Sequence, residues 1–201
     1  MSRYPWKRWA ITALGCFILG IGIGFCDLSK LGTDPFTVLL VGMHVQLGGT
    51  IGLMNIFVNI FMILFGFLVD KKMISAATFI AMAACSLGID IVGWIFPNGT
   101  SGIGLAILSL LFGELLYAFG TAVAILPDSG FDPYNAFLIG LQKVTKQSYR
   151  TVRWSVEAVF TLVGYLLGGI VGAGTILTLL ATGPLVEVFL KWLKERFQFS
   201  S

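Results

Sequence analysis

The sequence predicts an all-α, polytopic transmembrane helical bundle, with six crossing helices, two short broken or re-entrant helices and two inverted repeats. Three observations predict it: an extreme apolar composition, apolar runs of spanning length, and an internal duplication. Of the 201 residues, 57% are hydrophobic and 11% charged, and the mean hydropathy is +0.91. A soluble core of this size cannot absorb so many apolar side chains, so much of the chain faces lipid.

A hydrocarbon core of about 30 Å takes about 20 apolar residues per helical crossing. Six runs meet this expectation: Trp9–Cys26, Ile51–Val69, Ser75–Phe96, Gly102–Leu126, Thr151–Leu167 and Thr175–Trp192. Pro35–Gln46 and Pro133–Thr145 hold about a dozen residues each, too few to cross as helices. The basic start MSRYPWKRW precedes an apolar run, but no small-residue cleavage site follows and more membrane sequence does, so the first run is read as a retained span. No linker or low-complexity tract divides residues 1–201, which form one membrane domain.

A shift of 98 residues carries Asp34 onto Asp132 and aligns LGTDPFTVLLVG, from Leu31, with SGFDPYNAFLIG, from Ser129. Gly15, Gly22, Gly32, Pro35 and Gly42 then meet Gly113, Gly120, Gly130, Pro133 and Gly140. Shared glycines and an Asp-Pro pair in one register indicate duplication, giving repeats at 9–96 and 102–196. If the short helices do not cross, each half crosses three times and the second half inserts upside down relative to the first. With a cytoplasmic N-terminus, Arg3, Lys7, Arg8, Lys71, Lys72, Lys143, Lys146, Arg150, Arg153, Lys191, Lys194 and Arg196 then fall inside, and so does the C-terminus. The uncharged connections Leu47–Thr50, Pro97–Ser101 and Gly168–Gly174 fall outside.

Irregular backbone at membrane depth survives only where protein or water satisfies its polar groups. Asp27–Thr33 and Pro127–Phe131 are therefore read as loops dipping in from opposite faces, each followed by a short helix climbing back. Asp34 and Asp132 precede prolines, the order of an N-cap carboxylate before a first-turn proline. That capping role alone is one reading. The other is that two half-helix starts converge on a central site whose aspartates, with Thr33 and Phe131 beside them, contact a solute or ion. Phe131 stands where the first half has Thr33, so the two breaks are not equivalent.

Asn55 and Asn59 share a helix face, and Arg153 and Glu157 occupy the shifted positions. They extend the candidate substrate-binding set, against the alternatives of interhelical hydrogen bonding for the amides and an i,i+4 ion pair for the charges. Asp90, Glu114 and Glu187 are acidic residues within apolar runs and candidates for ion coupling, Glu114 foremost because it lies about three turns before the second break. The single histidine, the absence of H-E-x-x-H and G-x-S-x-G, and three cysteines without metal-ligand spacing point away from an enzyme and from any metal or cofactor. Expected partners are the bilayer, a small solute or ion and a second copy of the chain, and no nucleic acid.

At the paired Asp-Pro segments with Gly42 and Gly140, and at GAGT (Gly172–Thr175) and TGPLVE (Thr182–Glu187), the chain resembles the YczE/YitT group of small bacterial membrane proteins. The resemblance covers most of the sequence. It implies a helical fold and a bacterial cytoplasmic-membrane location, and leaves two functional expectations. One is a secondary transporter or exporter of a small solute or ion; the other is a membrane accessory or scaffold protein assisting a biosynthetic enzyme.

Overall fold

A computed structural model describes residues 5–69, 75–127 and 133–197. Among them are eight helices: α1 (Pro5–Leu28), α2 (Pro35–Leu47), α3 (Ile51–Val69), α4 (Ala76–Ile95), α5 (Ile103–Ile125), α6 (Pro133–Thr145), α7 (Tyr149–Leu166) and α8 (Ala173–Phe197). The all-α polytopic bundle expected from composition is thus observed. Helices α1 and α8 run past the apolar runs into charged flanks, because hydropathy marks the lipid-facing stretch and not the end of the hydrogen-bonded ladder.

By length and composition five helices can cross a membrane: α1, α3, α4, α5 and α8. The sixth expected crossing is α7, which has 18 residues. Arg150, Arg153 and Glu157 lie in its sequence, and these charges take it outside the apolar class. Of the six expected crossings, five thus have the length and apolar composition of a span among the described residues.

Helices α1 and α5 form the central pair and run antiparallel. Along the pair Arg8 donates from Nε to the Pro127 carbonyl at 2.7 Å, Thr12 Oγ1 to the Ala124 carbonyl at 3.4 Å, and Ser109 Oγ to the Phe25 carbonyl at 2.7 Å. Glycine lets the backbones touch. A Cβ added at Gly15, Gly22, Gly113 or Gly120 would lie closer than 3.0 Å to backbone of the opposite helix. Gly15 meets Gly120 while Gly22 meets Gly113, so the crossing is its own image under the 98-residue shift.

The remaining packing follows the same exchange. Helix α1 packs on α4 as α5 packs on α8, and α2 packs on α7 as α6 packs on α3. The short helices therefore lean on the opposite repeat. Gly42 on α2 and Gly164 on α7 permit one of these contacts by close backbone approach.

The exchange fails at one place. Helix α3 is tied to α4, where Asn55 Nδ2 donates to Ser86 Oγ at 2.9 Å. Further along, Thr50 Oγ1 and Gly52 N donate to the two Asp90 oxygens at 2.7 and 2.8 Å. No comparable packing joins α7 to α8 among the described residues. Asp90 thereby caps the start of α3 from a neighbouring helix, satisfying groups that have no intrahelical partner. Asp90→Ala is expected to cost about 1–2 kcal/mol of stability, read as a lower denaturation midpoint in detergent micelles; an unchanged midpoint would remove this role.

Candidate functional site

The first break spans residues 29–34 between α1 and α2 and is held as irregular backbone by specific partners. Lys30 N donates to the Asp27 carbonyl at 3.0 Å, and Gly174 N, at the start of α8, donates to the Leu31 carbonyl at 2.9 Å. Ser29 Oγ accepts from Leu31 N at 3.2 Å, and Thr100 Oγ1 donates to the Leu28 carbonyl at 3.2 Å. Each bond answers a polar group that lipid would leave unsatisfied. Gly32 has φ +102°, and an added Cβ would collide with Gly172 N and Thr175 Oγ1. Glycine is required there both by conformation and by space.

Asp34 ends the break as the N-cap of α2, with Pro35 in the first turn. Its carboxylate accepts from Thr37 N at 3.1 Å and from Thr37 Oγ1 at 2.6 Å. The capping expectation is met, and the donors at the start of α2 are engaged by the protein's own anion. Thr33 is buried beside it.

The short helices α2 and α6 meet through the residue after each proline. Phe36 and Tyr134, equivalent under the 98-residue shift, have ring centroids 5.8 Å apart. Phe160 of α7 completes a triad, 6.0 Å from Phe36 and 6.4 Å from Tyr134. The start of α2 thus meets the start of α6. Beside the triad is a groove of about 270 Å³ lined by Leu39, Met43, Phe61, Met62, Phe137 and Phe160. Leu39 and Phe137 are shift equivalents, as are Met62 and Phe160.

Charged and phenolic groups surround this junction. Asp34 is within electrostatic reach of Glu157, Glu114 within reach of Asp34, and Tyr134 within reach of Asp34, Glu157 and Arg153. Tyr117, on the α5 face that meets α1, lies within reach of both Asp34 and Glu114. Glu114 is only 3% exposed. Its Oε1 is 2.6 Å from Thr182 Oγ1 on α8, and its Oε2 is buried with no hydrogen-bond partner.

The structure sorts the expected site residues. Asp34, Thr33, Glu114 and Glu157 belong to the neighbourhood of the junction. Arg153 forms the i,i+4 ion pair with Glu157 at 2.7 Å. Asn55 Nδ2 is spent on Ser86 across the α3–α4 seam, and Asn59 Nδ2 donates within α3 to Asn55 Oδ1 at 2.8 Å and to its carbonyl at 2.9 Å. Asp90 is a cap, and Glu187 lies on the exposed face of α8. Phe131 and Asp132 lie outside the described residues, as do Lys71 and Lys72. The aromatic triad and Thr182 were not singled out from sequence. Phe36 and Tyr134 were within reach of the shift itself, which aligns them one position past the matched prolines. Thr182 carried no such signal.

The sequence of residues 6–191 matches the profile of a family described as being of unknown function, DUF6198. An uncharacterized protein of Haemophilus influenzae is 32% identical over 185 residues, covering 92% of this chain and 84% of the relative. The uncharacterized protein YyaS of Bacillus subtilis is 27% identical over 194 residues, covering 94% and 96%. The uncharacterized membrane protein YczE of the same organism is 24% identical over 181 residues, covering 90% and 84%. The expected likeness to YczE is therefore observed. No solved structure matches the chain.

Proposed function

We propose that this chain, which belongs to the DUF6198 family, is a secondary transporter that moves a small cationic solute through a central site at the two Asp-Pro helix starts. The observation that carries the reading is the contact of Phe36 with Tyr134. Helix starts that converge inside a membrane protein are the arrangement that lines a central solute site in transporters built from repeats.

Inverted repeats are supported by the antiparallel α1–α5 pair and by the exchange of glycine contacts across it. A two-fold relation along the membrane normal would have made the two helices parallel. In this arrangement α7 makes the sixth crossing despite its charges, both termini are cytoplasmic, and the chain lies in a bacterial cytoplasmic membrane. Alternating access is a rocking of one repeat against the other. Helices α7 and α8, which lack packing comparable to α3 on α4 among the described residues, offer such movement the least resistance.

The sign of the solute follows from occupancy. An external anion would need free N–H groups at the helix starts, but Asp34 already takes those of α2. The carboxylate of Asp34 and the rings of Phe36, Tyr134 and Phe160 suit an ammonium group instead. A thermal-shift screen of organic cations and anions tests this. A cation that binds the native state is expected to raise the midpoint, through a stabilisation of about 2.7 kcal/mol at a hundredfold excess over its dissociation constant. Stabilisation by anions alone would contradict it.

The accessory-protein reading has one observation in its favour: both Asp34 oxygens are satisfied by its own helix. It leaves the burial of Glu114 unexplained.

A further inference from the structure

Glu114 has a buried carboxyl oxygen with no partner, and it lies on α5 where that helix packs between α1 and α8. The groups within its reach are Cys26 from α1, Thr182 from α8, Asp34 from the first break and Tyr117 on its own helix. None is basic. A carboxylate in the membrane interior with no cation beside it is costly, and a second carboxylate in reach adds to that cost.

The hydrogens can be counted. Thr182 Oγ1 is 2.6 Å from Glu114 Oε1 and 2.6 Å from the Thr178 carbonyl oxygen. A hydroxyl has one hydrogen and cannot donate to both at that distance. Two short oxygen–oxygen contacts need two hydrogens, the Thr178 carbonyl can only accept, and the hydroxyl supplies one hydrogen. The short contact to Glu114 then needs a hydrogen from the carboxyl side. The Asp34 carboxylate, by contrast, has two donors from Thr37 and no such shortage.

We infer that Glu114 is a proton-binding site, occupied in this conformation, with its O–H donating to Thr182 Oγ1 and the Thr182 O–H donating to the Thr178 carbonyl. The inference deepens the transport reading and rests on it for its use. Loss of the proton from Glu114 to water places a second negative charge within reach of Asp34, which strengthens the hold on a cation there, and a cation at Asp34 in turn favours loss of the proton. The proton and the cationic solute are therefore exchanged one for the other.

The relay to the break is on the same helix. Below Thr182, Thr178 Oγ1 donates to the Thr175 carbonyl at 3.0 Å, and Thr175 sits against Gly32 of the first break. Pro184 lies inside α8, two residues beyond Thr182. A proline there leaves the Leu180 carbonyl without its i+4 donor and lets the helix bend. Separation of Thr182 from Glu114 can thus move the Thr175 end that braces the break.

Infrared difference spectroscopy of purified full-length protein in lipid, titrated between acid and alkaline pH in H2O and D2O, tests the site without knowledge of the solute. A protonated-carboxyl C=O band is expected that shifts in D2O, disappears on alkaline titration, is absent in E114Q and persists in D34N. E114Q keeps the size and neutrality of the protonated side chain and is expected to fold. T182V provides a second variant, in which the band is retained at a shifted frequency because its hydrogen-bond partner is gone. Absence of the band from the wild type, or its persistence in E114Q, overturns the proposal. The failures separate: a chain that moves no solute but shows the band sinks the transport reading alone, and a chain that transports without the band sinks this site alone.

Discussion

Gly22→Val and Gly120→Val are each expected to destabilise the folded bundle by about 3 kcal/mol, the upper part of the range for overpacked cores. The reason is that the obstacle is backbone. An added Cβ at Gly22 would fall closer than 3.0 Å to Tyr117 N, and one at Gly120 equally close to Leu19 N. No rotamer change relieves either contact, so α1 and α5 must move apart along the central seam. Leu19 and Tyr117 are themselves related by the 98-residue shift, so the two substitutions probe one geometry from its two sides and are expected to cost nearly the same. Gly104 on the same helix α5 faces open space, and Gly104→Val is expected to change stability by less than about 0.5 kcal/mol. Denaturation midpoints in mixed micelles measure all three. Equal tolerance at Gly22 and Gly104 would contradict the close crossing.

Asp34→Asn is expected to lower solute flux into proteoliposomes at least about tenfold, a loss of about 1.4 kcal/mol in transport-competent binding, while the protein stays folded. Asparagine is as good an N-cap as aspartate. Its single amide oxygen can still accept from Thr37 N, while its Nδ2 donates to the Thr37 hydroxyl at the place where the second carboxylate oxygen accepted. What the substitution removes is the negative charge. Asp34→Ala removes the cap as well and is expected to cost about 1 kcal/mol of stability in addition. Under the accessory-protein reading D34N would leave every property of the protein unchanged, so the pair of variants separates charge from capping.

Much of this architecture can be read from the sequence, and what cannot has a physical reason. The apolar runs mark the long helices because spanning length is fixed by the bilayer. The Asp-Pro order marks the start of α2 because an N-cap needs an acceptor and proline fits the first turn. Arg153 and Glu157 pair as their spacing on one helix requires. Contacts between helices are another matter. Asp90 looked like an ion site because it is an acid in an apolar run, but its purpose depends on the start of α3 lying beside it. Asn55 and Asn59 looked like a shared polar face, and they are one, but the face is turned to Ser86 of α4. Glu114 was distinguishable as a costly buried acid, whereas Thr182, 68 residues away, could be assigned to it only once α5 and α8 were placed together. The meeting of Phe36 with Tyr134 lies between these cases, since the repeat alignment pairs the two positions and only the fold brings them into contact.

That meeting is most directly tested by joining residues 36 and 134 covalently. In a background with Cys16, Cys26 and Cys85 replaced, the F36C/Y134C double variant in native membranes is expected to form an intrachain cross-link with a short, membrane-permeant bis-methanethiosulfonate reagent. Each single variant is expected to resist a membrane-impermeant maleimide added to either face. Failure of the double variant to cross-link, together with labelling of both single variants from one face, would contradict the convergence of the two helix starts and the transport reading built on it.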